Sequence, residues 1–190
     1  LRLINKHCVD LYQPKTPPFQ LESCLRYELL PAGIVQMTLE CIARKDTFSN
    51  GYIGLFWASY IHQPESLDIH FPGWPNIGDR IKETQLPPPT MIRGVTSEHG
   101  LKATHRSLQD RRQLEHDKDF PLSLVFGHSD HRYSDPWYYG VSNGMGFAQI
   151  FRCGDNIRIT QSPSGGGQGN PAWDFQFIVE NYEVGKRYQM

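Results

Sequence analysis

The chemistry-bearing residues of this chain concentrate in a few short strings. The densest is Phe126-Gly127-His128-Ser129-Asp130-His131-Arg132-Tyr133. Imidazole titrates near neutrality, so His128 or His131 is a candidate general acid. The matching base would be a carboxylate brought in from elsewhere, and Glu40 and Asp68 are the candidates. The same histidines with one remote carboxylate would also make a metal site. A jelly-roll oxygenase pattern would use His128-Ser129-Asp130 with His70, His99 or His105 as the remote partner. Competing with all of these is a hydrogen-bonded loop in which Asp130 caps a turn. The reading assigns no metal and no cofactor.

A second string, Leu67-Asp68-Ile69-His70-Phe71, alternates in polarity. Asp68 and His70 therefore share one strand face, where a carboxylate can orient an imidazole. No nucleophile is marked beside them, because Ser59 and Ser66 lack an elbow sequence. Trp74 lies between two prolines, and an exposed indole there could stack on the apolar face of a sugar ring. The glycine-rich stretch 162–171 is not a phosphate loop. It lacks the Gly-Lys-Ser/Thr ending and leads into a strand pattern rather than a helix.

The elements that must position these residues are strands. Over 21–43, Leu25, Tyr27 and Leu29 alternate with Arg26 and Glu28, and Val35, Met37 and Leu39 alternate with Gln36, Thr38 and Glu40. A three-residue loop at Pro31-Ala32-Gly33 pairs Leu29 with Val35, Tyr27 with Met37 and Leu25 with Leu39, so the apolar faces coincide. That register puts Cys24 opposite Glu40 and Cys41 opposite Ser23, which separates the two thiols. With no Cys-x-x-Cys among the four cysteines, the expectation is reduced thiols and no zinc ribbon.

Asn143-Gly144 signals a two-residue hairpin pairing Val141 with Gly146, Tyr139 with Ala148 and Trp137 with Ile150. A turn at Gly154-Asp155 would extend the meander and pair Ile150 with Ile159. The expected core face is Trp137, Tyr139, Val141, Ile150 and Ile159. The expected open face carries Tyr138, Gln149 and Arg158 as a polar platform flanked by Phe147 and Phe151. Together with Trp74 and His70, these three are the candidate substrate-binding residues. The segment 51–61, apolar on both faces, reads as a strand covered on both sides. Further strands are expected at 67–71, 91–95, 101–105, 122–126, 175–179 and 186–190. The only helical candidate, near 107–119, begins at capping spacing but has no apolar stripe. The expected fold is therefore all-β, an antiparallel β-sandwich over 1–190 as one domain, with at most that one short helix.

Lys and Arg number 19 against 20 Asp and Glu, which gives no surface excess of positive charge for a polyanion. No apolar run approaches the ~20 residues of a membrane helix. The expected partners are thus a carbohydrate or other polar small molecule, with no nucleic acid and no membrane, in a cytoplasmic setting. Both ends of the chain read as cut from something longer.

Three strings carry a resemblance: Gly51-Tyr52-Ile53-Gly54-Leu55-Phe56-Trp57-Ala58-Ser59-Tyr60-Ile61, Gln161-Ser162-Pro163-Ser164-Gly165-Gly166-Gly167 and Asn170-Pro171-Ala172-Trp173-Asp174-Phe175. They resemble an uncharacterised group of environmental, planctomycete-like bacterial proteins of galactose-mutarotase-like supersandwich fold. The resemblance implies a sugar-handling fold whose enzymes pair a His acid with a carboxylate base. No mutarotase signature aligns on this chain, so it transfers no catalytic residue. The functional expectation is a carbohydrate-binding or carbohydrate-active protein, in the second case a sugar epimerase, lyase or hydrolase. The alternative is a non-catalytic structural or interaction domain.

Overall fold

In the computed structural model the described residues are 1–78, 85–94, 102–115, 127–164 and 166–190. They are all-β, with short 3-10 turns and no α-helix among them. The chain divides into two compact units: Leu1–Ile53 with Val179–Met190, and Gly54–Ile178.

The first unit is a five-stranded sheet in the order β1-β2-β3-β4-β14, built from β1 (Arg2–Asn5), β2 (Cys8–Thr16), β3 (Leu21–Leu30), β4 (Ile34–Ala43) and β14 (Arg187–Gln189). The β3–β4 register is the one that the alternating pattern demands: Leu29 meets Val35, Tyr27 meets Met37, Leu25 meets Leu39 and Cys24 meets Glu40. Leu25, Leu39, Cys41 and Ala43 are buried on one face. All four cysteines are free thiols. The sequence pattern does not mark β1 or β2, because Pro14 and the proline pair at 17–18 interrupt the signal of β2.

The second unit holds the longer sheet, in the order β11-β10-β6-β9-β8-β12-β13-β5, with β7 also paired to β6. Its strands are β5 (Tyr52–Trp57), β6 (Ile69–Trp74), β7 (Thr90–Gly94), β8 (Thr104–Ser107), β9 (His128–Tyr133), β10 (Trp137–Ser142), β11 (Met145–Ile150), β12 (Arg158–Ser162) and β13 (Ala172–Glu180). Consecutive β9 and β10 both run antiparallel to β6, with a break at Ser134-Asp135-Pro136. Beyond the break the β10–β11 hairpin lies over β13. Phe147 packs 6.2 Å from Trp173, and Phe151 packs 4.8 Å from Phe175. This layering is what makes the unit sandwich-like.

Four expectations need correction. The β10–β11 register is as the Asn143-Gly144 turn requires, with both turn residues left-handed, but the covered face is the other one. Tyr138 is fully buried, whereas Ile150 is 78% exposed. Gly140 explains the choice: an added Cβ would sit 2.2 Å from the Trp173 ring, so only glycine lets the indole lie against β10. Second, Ile150 does not pair with Ile159, because β12 is taken by β8 and β13. Third, the strand covered on both sides is β13, buried from Ala172 to Val179, rather than 51–61, where Tyr60 is largely exposed. Fourth, the helical candidate forms no helix over 107–115, and 116–119 lie outside the described residues. The Ser107 hydroxyl does accept the Asp110 N–H, but Asp110 is then drawn into buried ion pairs. The strand expected at 122–126 also lies outside the described residues.

The Gly140 contact makes a direct prediction. Gly140→Ala drives a methyl group into a fully buried indole and should lower the unfolding free energy by about 3 kcal/mol. Urea titration checks this; a change below about 0.5 kcal/mol would show that Trp173 does not pack there.

Candidate functional site

On the outer face of the second unit, strand pairing sets Tyr139 opposite His70 and His70 opposite Arg93. Trp137 lies two residues before Tyr139 and so projects from the same side. The rings form a continuous row: Trp137 to Tyr139 at 6.4 Å and Tyr139 to His70 at 5.1 Å, both pairs within 26° of parallel. Each ring is half-buried. The row ends at Arg93, whose side chain is 68% exposed and whose Nε donates to the buried Asp68 carboxylate. Asp68 also accepts from the Ser66 hydroxyl at 3.0 Å. Asp68 and His70 therefore do share a face, with Ile69 and Phe71 fully buried on the other side. The sequence pattern located His70 but assigned Trp137 and Tyr139 to the core.

The remaining candidates of this unit are spent inside it. The Tyr138 hydroxyl donates to the Trp173 carbonyl at 2.8 Å. The Gln149 amide donates to Ser59 Oγ at 3.1 Å. Arg158, expected on the open face, is 1% exposed and grips Asp110 at 2.8 Å. Arg112 grips the same carboxylate at 2.9 Å. Burial pushes the Asp110 carboxyl up, but the two guanidinium forks outweigh it and hold it well below the usual range. Trp74 ends a strand rather than capping a loop, and its indole N–H donates to the Pro87 carbonyl at 2.7 Å. That fixed orientation replaces the freely exposed indole expected between two prolines.

The two histidines of the dense string part company. His128 lies 3.3 Å from an Arg158 nitrogen. His131 accepts the Asn76 N–H at 3.1 Å and stacks 6.0 Å from His105. Burial, the leading cause, lowers the His131 pKa. The constellation that the sequence reading missed is His105 with Ser129 and Gln161. Gln161 donates its amide N–H to the Gly94 carbonyl, so its Oε1 accepts from His105 Nε2 at 3.0 Å. His105 Nδ1 then accepts the Ser129 hydroxyl at 2.6 Å. Burial pushes the His105 pKa down to about 4, so this imidazole stays neutral near pH 7. Ser129 is buried, which makes the trio an internal relay rather than a presented nucleophile. Gln161 and His105 lie 56 residues apart, and only the β8–β12 pairing brings them together.

Asp174 is a second buried titratable group. Burial raises its carboxyl to about 7, offset in part by the Ser59 N–H that it accepts. Across the strand pair sits Thr160, whose buried hydroxyl has no hydrogen-bond partner among the described residues.

Glu40, the remaining candidate base, belongs to the first unit. It lines a polar groove of about 340 Å³ on the five-stranded sheet with Arg26, Thr38 and Arg187 among its neighbours. No group of three or more His, Cys, Asp or Glu side chains among the described residues is arranged to hold a metal ion. Compared with protein-family models, curated proteins and solved structures, the chain matches none.

Proposed function

We propose that this protein binds carbohydrate through the outer face of β6, β7 and β10. The observation that carries the reading is the stacked row Trp137–Tyr139–His70 ending beside the Asp68-held Arg93 guanidinium. Aromatic rings offer polarisable surface to the C–H face of a pyranose. The imidazole, guanidinium and carboxylate at the end of the row supply donors and acceptors for its hydroxyls. Three rings in sequence suit successive sugars of an extended chain better than one isolated ring. The mutarotase-like resemblance points to the same ligand class. Catalysis is left out of the proposal, because the candidate acids and bases are engaged separately: His128 with Arg158, His131 with Asn76, and Asp68 with Arg93.

A second reading, contact with another protein, draws on the exposed Ile150, Met91 and Val141 around the row. Interface cores are depleted of charge, and the Asp68–Arg93 pair at the end of this row weighs against it.

Retention on insoluble cellulose, chitin, xylan and mannan tests the proposal. At least one polymer should retain the protein, with Trp137→Ala and Tyr139→Ala each weakening retention about tenfold, equivalent to about 1.4 kcal/mol. Retention of none, or retention indifferent to both substitutions, would overturn it.

A further inference from the structure

We infer that the groove on the five-stranded sheet is a second ligand site, separate from the aromatic row, and that it takes a single neutral, polyhydroxylated ring such as a monosaccharide. Its geometry follows from the register. One cross-strand row runs Tyr12–Cys24–Glu40–Gln189, the next Asp10–Arg26–Thr38, and the third pairs Glu28 with Gln36. All of these side chains project from the face opposite Leu25 and Leu39, because strand side chains alternate.

The cations of the groove are already matched. Arg26 forks onto Asp10 at 2.7 and 2.9 Å, and Arg187 lies 3.6 Å from Glu40. An anionic ligand would have to break these pairs. By contrast Glu28, Gln36, Thr38 and Gln189 make no side-chain hydrogen bond with the described residues, so acceptors, amides and a hydroxyl remain unspent around the same hollow. A lining of this kind rewards a ligand with many hydroxyls and gives little to an apolar one. The volume of about 340 Å³ is at the small end of ligand sites, which fits one ring rather than a chain. Tyr12, 54% exposed, stands at the end of the first row beside Cys24.

The test follows backbone amide resonances while glucose, galactose, mannose, xylose and N-acetylglucosamine are added separately at millimolar concentration, with glucuronate as the charged control. At least one neutral sugar should shift the amides of Arg26, Thr38, Glu40 and Gln189. Thr38→Val and Glu40→Gln should each weaken it at least tenfold, while Trp137→Ala leaves it unchanged. The amide spectra of the variants also report that the sheet is intact. No shift at these amides with any of the sugars would overturn the site. Tighter binding of glucuronate than of glucose would overturn the neutral ligand. Loss of the shifts in Trp137→Ala would overturn the separateness of the two sites. Polymer retention, which reads the aromatic row, stands or falls independently of these outcomes.

Discussion

Asp110→Ala should destabilise this protein by about 3–5 kcal/mol, among the largest losses available to a single substitution. Asp110 is 1% exposed, and its two oxygens are shared by the forks of Arg112 and Arg158. Truncation removes the carboxylate but leaves the Arg158 guanidinium, itself 1% exposed, inside the fold. Burying a charge away from its counter-ion costs far more than the pair contributes when complete. In a chain of this size each kcal/mol moves the melting temperature by about 2–4 °C, so a drop of about 10 °C is expected. Adding Arg158→Met to Asp110→Ala should recover part of that loss, because the stranded cation goes with it. Since the folded pKa of Asp110 is depressed, its contribution is present above the ordinary carboxylate pKa and lost only as the pH falls below it. A loss under about 1 kcal/mol near pH 7 would contradict this role.

The second large effect is a pair of opposed pH dependences. Asp174 has a raised folded pKa of about 7 against 3.8. Between those values the unfolded chain has released the proton while the folded chain holds it, so stability falls as the pH rises through this window. His105 has a lowered folded pKa of about 4 against 6.5. Between those values the unfolded chain is protonated and the folded chain is not, so stability falls as the pH drops through this window. From about pH 4 to 6.5 these two slopes oppose one another and largely cancel, so the pH dependence of the intact protein should be shallow there. Asp174→Asn removes one slope. Above pH 7 it should stabilise the fold by about 3–4 kcal/mol, the equivalent of two to three pKa units. It should also expose a steady loss of stability on going from pH 6.5 to 4, which reports His105 together with His131, whose pKa burial also lowers. Urea unfolding of both proteins at several pH values reads this. A destabilised Asp174→Asn above pH 7 would mean that the carboxylate is ionised and satisfied in the fold.

What the sequence made legible was local. The β3–β4 hairpin follows from strict alternation and a three-residue loop: its register agrees with the pattern, and its apolar face is buried at Leu25 and Leu39 but exposed at Leu29 and Val35 near the turn. The β10–β11 register follows from one Asn-Gly turn. Its covered face does not, because both faces of that hairpin carry aromatics and the decision lies with Trp173, 33 residues after Gly140. Polar atoms avoid burial only when unpaired, and Tyr138, Gln149 and Arg158 each find a partner from a distant segment. The Gly154-Asp155 signal points to pairing of β12 with β11, but β8 and β13 occupy both edges of β12. Of the candidate binding residues, only His70 lies in the aromatic row. Trp137 and Tyr139 join it because the hairpin is turned over.

The most direct measurement of the binding proposal is the indole N–H resonance of Trp137 during titration with soluble oligosaccharides of whichever polymer retains the protein. Trp173 is fully buried and donates its indole N–H to the Leu67 carbonyl, so it serves as the internal control. The account predicts a progressive, saturable shift of the Trp137 resonance with that of Trp173 unmoved. A Trp137 resonance that stays still while the oligosaccharide saturates the protein would place the sugar elsewhere and contradict the account.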